Sequence, residues 1–230
     1  DLAIHSMKDV PIELPTELGI SVITKRENPL DALISKNGKK LADLPQGATI
    51  GTSSLRRSSQ LLEYRDDFKI YPLRGNIDTR LRKVEEGKYD AILLASAGLN
   101  RLGWADRITE EITHEILLPA MGQGALGIET RLEDTKIYDV ISFLNHDQTN
   151  YAVTAERALV GRLDGGCQVP IGAYAKIEDN LITLKGLVAS LDGKIIYKSE
   201  NVGPVDDAIN IGQELGSRLL KMGANEILEK

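Results

Sequence analysis

A single cysteine, Cys167, occurs in the 230 residues. That excludes an intramolecular disulfide framework and an all-cysteine zinc site, and a reducing, cytoplasmic setting is expected. Aromatic residues are scarce, with one Trp, seven Tyr and two Phe, too few for the stacking platforms of a single-strand nucleic-acid binder. No apolar run approaches the ~18 residues that cross a bilayer. Residues 91–99, broken by Ser96, come nearest, so no membrane partner is expected. Metal-ligand spacings and the P-loop signature are both missing, and no metal site is expected. Glycine and proline, at 21 and 8 residues, stay below the level of a low-complexity chain. No basic-then-apolar leader opens the chain. It begins at Asp1 rather than Met and runs straight into Leu-Ala-Ile, a strand pattern, so a piece lacking its true N-terminus is expected.

With 42% hydrophobic and 27% charged residues, the chain can build one large domain or two to three small ones. Its net charge of −6 does not suit a generic polyanion binder. The charge is unevenly spread. Between Thr52 and Arg82, six arginines and Lys69 oppose four acidic residues, a local charge of +3 that leaves −9 for the remainder. An arginine-rich island in an acidic chain points to a confined anionic ligand rather than a nucleic-acid track.

Residues 1–25 read as a short strand, a polar turn and a second strand over 20–24. From about 28 to 118, strands over 48–51, 68–73 and 89–95 alternate with helices over 53–66 and 76–86. That is the pattern of a parallel sheet with crossover helices. A strand over 126–130 and a helix over 135–144 follow. A helix from Thr149 then leads into Asp-Gly-Gly-Cys-Gln-Val-Pro. Three strands over 171–177, 181–189 and 195–200, with Asp179-Asn180 and Asp192-Gly193 turns between them, form an antiparallel meander closed by a helix over 205–222.

Gly51-Thr52-Ser53-Ser54-Leu55-Arg56-Arg57 sits where a strand ends and a helix begins, and free N–H groups there can seat an anion. The helix dipole disfavours arginine in a first turn, so two of them suggest that a negative ligand is expected. The alternative is a Ser/Thr cap with solvated arginines. Leu73-Arg74-Gly75-Asn76 repeats the geometry one unit later, and ligands gather at such strand ends in open α/β sheets. Gly122-Gln123-Gly124-Ala125-Leu126-Gly127 matches the dinucleotide fingerprint GxGxxG in letters only. The fingerprint needs a strand before it and a helix after it, whereas here Pro119 precedes and an extended stretch follows. Cys167 lies in Gly-Gly-Cys-Gln-Val-Pro, a setting that reads as an exposed loop. The pattern leaves a reactive thiol and an inert one equally open, since none of His5, His114 and His146 can be placed beside it. Lys8-Asp9 could be an ordinary surface ion pair, in a turn defined by Pro11.

Taken in order, HSMKDVP (5–11), GTSSLRR (51–57), LRGNIDTR (73–80), GLNRLG (98–103), PAMGQGALGIE (119–129) and GGCQVP (165–170) make the chain resemble the porphobilinogen deaminases, also called hydroxymethylbilane synthases. The resemblance spans essentially the whole chain. It implies an α/β protein with two domains similar to type II periplasmic binding proteins, the first incomplete here, and a small C-terminal α+β domain. Residues 1–24 and 123–143 would be the remainder of domain 1, 28–118 domain 2, and 147–230 domain 3. The glycine-rich stretch near 122 would then be the crossing back to domain 1.

The resemblance implies a transferase of tetrapyrrole (heme) biosynthesis. Four porphobilinogen molecules condense head to tail into hydroxymethylbilane with release of ammonia. The family works on a dipyrromethane cofactor, made from two porphobilinogen units and held by a thioether that here would fall on Cys167. Each ring carries acetate and propionate groups, so a growing chain needs a cationic lining. Arg56, Arg57, Arg74, Arg80 and Arg101 match the family's binding arginines. Thr52, Ser53 and Ser54 supply hydroxyls and N–H groups. Ser6 and Gln123, inside two of the motifs, join them as cofactor or substrate contacts. Asp9 matches the catalytic aspartate, which stabilises cationic pyrrole species and is a candidate to protonate the leaving amine. Lys8 beside it would bind a substrate carboxylate. Porphobilinogen is the implied partner, with no nucleic acid and a monomeric state. The family's N-terminal ligands are missing, so these 230 residues alone are expected to be inactive. A non-catalytic solute-binding module is the competing class; it explains the arginine-bearing strand ends but not the Gly-Gly-Cys loop.

Overall fold

The structure, a computed structural model, describes residues 1–164 and 169–228. The reading of Cys167 as a reactive or inert loop thiol therefore lies outside the described residues. In chain order the elements are β1 (Leu2–Ser6), β2 (Leu18–Ile23), β3 (Asp31–Ser35), β4 (Thr49–Gly51), α1 (Leu55–Tyr64), β5 (Lys69–Tyr71), α2 (Ile77–Glu85), β6 (Ala91–Ala95), α3 (Ser96–Arg101), β7 (Glu110–Ile112) and β8 (Leu126–Arg131). They continue with α4 (Thr135–Ile141), α5 (Asp147–Arg162), β9 (Ile171–Glu178), β10 (Leu181–Ala189), β11 (Ile196–Pro204), α6 (Ala208–Leu219) and α7 (Asn225–Leu228).

Three sheets form. The first, in order β1-β8-β2, is antiparallel and joins the two ends of a long excursion. The glycine-rich run feeds directly into β8, so a strand follows it where a dinucleotide site would need a helix.

The second sheet has the order β5-β4-β6-β3-β7. β5, β4 and β6 are parallel, as the alternating pattern requires, and α1 and α2 cover opposite faces. Successive residues of β6 accordingly divide between two cores. Leu93 packs with Ile50 and Leu61, whereas Ile92 and Leu94 pack with Leu81 and Val84. The sheet is not wholly parallel, however: β3 runs antiparallel to β6, and β7 antiparallel to β3. β3 is missing from the sequence-based reading because Asp31-Ala-Leu-Ile-Ser offers an apolar run of only three residues behind a charged one, where β6 has five. β7, Glu-Glu-Ile, buries only its last residue.

The third sheet is the meander β9-β10-β11. Asp179 and Asn180 both adopt positive φ, 50° and 59°, the backbone of a two-residue hairpin that matches strand twist. Helices α5 and α6 cover one face through Leu159, Ile211 and Leu215 against Ile182 and Leu184. The closing helix is shorter than its pattern suggested. It begins in a 3-10 turn and ends in a π turn where Gly223 takes φ 116°.

Candidate active site

Segments from all three sheets converge on one cleft of about 300 Å³, lined by Lys8, Asp9, Ser53, Ser54, Leu55, Arg56, Arg57, Ala120, Met121, Gln123, Val160, Val169 and Ile171. Lys8 and Asp9 stand on a 3-10 turn (Met7–Asp9) that leaves β1. Met7, 1% exposed, anchors that turn, and its backbone N–H donates to the Ala125 carbonyl at 3.0 Å. Asp9 is exposed to the cleft and Lys8 half-buried. Burial pushes the Lys8 ammonium below its ordinary pKa; Arg57 and Arg56 deepen the depression, while Asp9 and Asp31 oppose it.

Opposite this turn lies the start of α1. Ser54 caps the helix, its Oγ accepting from the Arg57 N–H at 3.4 Å. The Thr52 Oγ1 accepts from the Ser54 N–H, and the Ser53 Oγ exchanges two 3.0 Å bonds with the Leu73 backbone. The hydroxyls thus hold the helix entry together, and Ser54 and Leu55 of that entry line the cleft.

The arginines of that first turn are buried, Arg56 at 6% and Arg57 at 8% exposure, around a fully buried Asp31. Arg56 donates to Asp31 through Nη1 (2.7 Å) and Nη2 (3.3 Å), and Arg57 through Nε (2.9 Å) and Nη2 (2.6 Å). Two carbonyls take the next bonds: Arg56 to Leu118 at 2.8 Å and Arg57 to Leu93 at 3.1 Å. The Gln123 Nε2 adds a bond to Asp31 at 3.0 Å and one to the Pro29 carbonyl at 2.6 Å. Burial alone would raise the Asp31 pKa, but the two guanidiniums outweigh it and hold the carboxyl well below the usual range. In the sequence, two arginines at a helix N-terminus point to an external anion, but the anion that answers them here is internal, the Asp31 carboxylate. The signal was an aspartate heading an otherwise apolar strand.

Five other candidates do not line this cleft. Arg80 donates to the Gly75 carbonyl at 2.7 Å, and burial, followed by the charge of Arg57, lowers its pKa. Arg101 donates to the Gly124 carbonyl at 2.7 Å. Arg74 is exposed, without a carboxylate partner among the described residues. Ser6 precedes the Lys8-Asp9 turn without capping it, and Thr52 is buried.

A second buried pair ties the segments together. The Glu156 carboxylate, fully buried on α5, accepts from Arg26 Nη1 at 2.6 Å, from the Gly122 N–H at 2.6 Å and from the Ala175 N–H at 2.8 Å. Arg26 Nε donates to the Gln123 carbonyl at 2.8 Å. Gln123 therefore connects the two ion clusters, its side chain to Asp31 and its backbone to Arg26. At Gly124, φ is 89° and a Cβ would collide with the Glu27 carbonyl oxygen. Only glycine lets the two crossing segments approach this closely.

Fold and site define an α/β protein whose arginine-backed cleft surrounds one exposed carboxylate. Comparison with known proteins gives that class its family. Residues 1–139 match the porphobilinogen deaminase dipyromethane cofactor binding domain, and residues 150–221 match the porphobilinogen deaminase C-terminal domain. The chain belongs to the porphobilinogen deaminase family. It is 54% identical over 228 residues to the porphobilinogen deaminase of Geobacter metallireducens, covering 99% of this chain and 71% of that protein. Against the Syntrophobacter fumaroxidans protein of the same name, identity is 50% over 230 residues, covering 100% and 74%. Among solved structures, a Salmonella typhimurium periplasmic binding protein with high arginine specificity overlaps only partly, with TM-score 0.32 and 12% identity over 55% of each chain. No helix among the described residues is long and apolar enough to cross a membrane.

Proposed function

We propose that this cleft is where the chain carries out its family's reaction, the head-to-tail condensation of four porphobilinogens into hydroxymethylbilane with release of ammonia. One observation carries the assignment of the cleft. The Lys8-Asp9 turn, the arginine-backed start of α1, and Val160, Val169 and Ile171, which flank Cys167 in sequence on both sides, line the same space.

The donor set fits a dipyrromethane cofactor, which is a polycarboxylate. Lys8, the arginine pair and the α1 N-terminus make one wall cationic, and Met121, Val160 and Ile171 offer apolar surface for pyrrole rings. When bound, that group supplies the nucleophilic terminal ring to which the chain is added; Cys167 is the residue that would hold it. Arg56 and Arg57 sit at fixed positions because Asp31 and two carbonyls already orient them, so their remaining N–H groups can meet a carboxylate without rearrangement. Arg74, Arg80 and Arg101 would receive further acidic side arms beyond the cleft, and Ser6 and Gln123 would complete its contacts. Lys8 binds a substrate carboxylate beside Asp9.

Asp9 stabilises positive charge that develops on the reacting pyrrole. At ~4 Å and an effective dielectric of ~20 that attraction is about 4 kcal/mol, roughly three decades in rate if confined to the transition state. We divide the chain into residues 1–24 with 123–143, 28–118 and 147–230, and read the protein as a cytoplasmic monomer acting on porphobilinogen. Asp9→Asn in the full protein tests the assignment. The covalent adduct should remain by intact mass while condensation slows about 10³-fold; near-normal turnover would remove Asp9 from the mechanism.

A further inference from the structure

Helix α5 carries adjacent charged residues that reach to different segments. Glu156 ties the glycine-rich loop to Arg26. Arg157 turns instead to the loop that follows Asp9. Its guanidinium donates to three successive carbonyls: Nη1 to Val10 at 3.1 Å, Nη2 to Pro11 at 2.6 Å, and Nη2 to Ile12 at 3.0 Å. It has no carboxylate partner among the described residues, and burial lowers its pKa. A partly buried cation without a counter-charge is costly. Here its bonds go entirely to holding that loop.

The rest of the same helix face serves the same loop. Val153, Arg157 and Gly161 follow at four-residue spacing, one above another. Val153 shares a buried cluster with Met7 and Val10. At Gly161, a Cβ would come within 3.2 Å of the Ile12 Cγ2. No regular element lies between the Asp9 turn and β2, and Pro11 and Pro15 offer no backbone donors. Asp9 thus hangs between Met7, 1% exposed, and Val10, 4% exposed. The side chain that pins the chain just beyond Val10 is Arg157.

We infer that Arg157 is a positioning residue for Asp9: by gripping the carbonyls of Val10, Pro11 and Ile12 it sets where the Asp9 carboxylate stands in the cleft. This rests on the reading of Asp9 given above. A lysine ammonium would be a poor substitute, because one point charge cannot span three carbonyls as a planar fork does. A displacement of about 1 Å in a reacting group can cost on the order of 10²-fold in rate.

The test compares Arg157→Met, Arg157→Lys, Asp9→Asn and the Arg157→Met/Asp9→Asn double variant in the full protein, by steady-state kinetics with porphobilinogen, intact mass and thermal unfolding. Both Arg157 variants should keep the covalent adduct and a KM within about twofold while kcat falls roughly 10- to 100-fold, less in Lys than in Met. The double variant should be no slower than Asp9→Asn alone, because a misplaced group that has already been removed costs nothing more. Normal kcat in the folded fraction of either Arg157 variant overturns the inference, and so do multiplicative losses in the double variant. Should the Met variant fail to fold, the Lys variant decides on the same criteria. Normal kcat in Asp9→Asn is a separate outcome, which rejects the role of Asp9 and the inference with it.

Discussion

Replacing Asp31 by Asn changes one atom type at the centre of the arginine cluster and leaves its shape intact. In the wild type the carboxylate is fully buried and receives four bonds from Arg56 and Arg57, at 2.6 to 3.3 Å, plus one from Gln123. The amide cannot neutralise two guanidiniums that are themselves more than nine-tenths buried. Removing one side of a buried pair costs about 3–5 kcal/mol. For a chain of this size each kcal/mol moves Tm by roughly 2–4 °C, so the variant should melt about 6–20 °C lower at neutral pH. The acid limb gives a second check. The folded-state pKa of Asp31 lies below its unfolded value, so its contribution is complete above about pH 4 and is lost as pH falls through the folded value. Wild-type Tm should therefore decline more steeply below about pH 4 than that of Asp31→Asn, and the gap between the two curves should narrow toward about pH 2. Circular dichroism melts from pH 2 to 7 measure both. A neutral-pH difference under about 2 °C, or parallel acid limbs, would refute the claim that Asp31 is the counter-charge of this site.

Arg74→Leu bears on the ligand rather than on the fold. Arg74 is exposed and unpaired among the described residues, so stability should change by less than about 0.5 kcal/mol while cofactor assembly or chain growth slows. An unstable variant with normal specific activity would contradict that role. Cys167→Ala in the full protein should abolish the covalent adduct in the intact mass and with it the activity; an adduct of unchanged mass would place the attachment elsewhere. For Asp9→Asn and the Arg157 variants, the expected split is a fall in kcat with the adduct retained.

Local pattern made much of this molecule readable. The β-α alternation around Ile50, Leu61 and Leu93, and the meander with its Asp179-Asn180 turn, follow from periodicity and turn chemistry that act over a few residues. Most of the strands and helices foreseen fall within a few residues of their observed ends. The antiparallel strand β3 was not legible, because its apolar run, Ala32, Leu33 and Ile34, is only three residues long behind Asp31, whereas the equally buried β6 announces itself with five. Arg157 was equally silent: nothing near residue 157 announces three carbonyls at positions 10 to 12, since that pairing exists only once α5 docks on the loop.

The arginine pair shows how a sound local argument can stop one step short. Cations at a helix N-terminus oppose the dipole, so an anion has to be near, and Arg56-Arg57 signals that need in sequence. Which anion answers is a question of tertiary distance. Asp31, 25 residues upstream of Arg56, satisfies it before any ligand arrives. This arrangement is compatible with a ligand role. Three basic groups at the cleft wall, Arg56, Arg57 and Lys8, outnumber Asp31 and Asp9 by one, so a cationic surplus still faces the cleft. Because Asp31 and the carbonyls of Leu93 and Leu118 already fix both guanidiniums, a carboxylate that meets them encounters oriented donors, and little rearrangement subtracts from binding. If the proposed role holds, carboxylates of a lengthening chain are served better by such fixed donors than by mobile lysines.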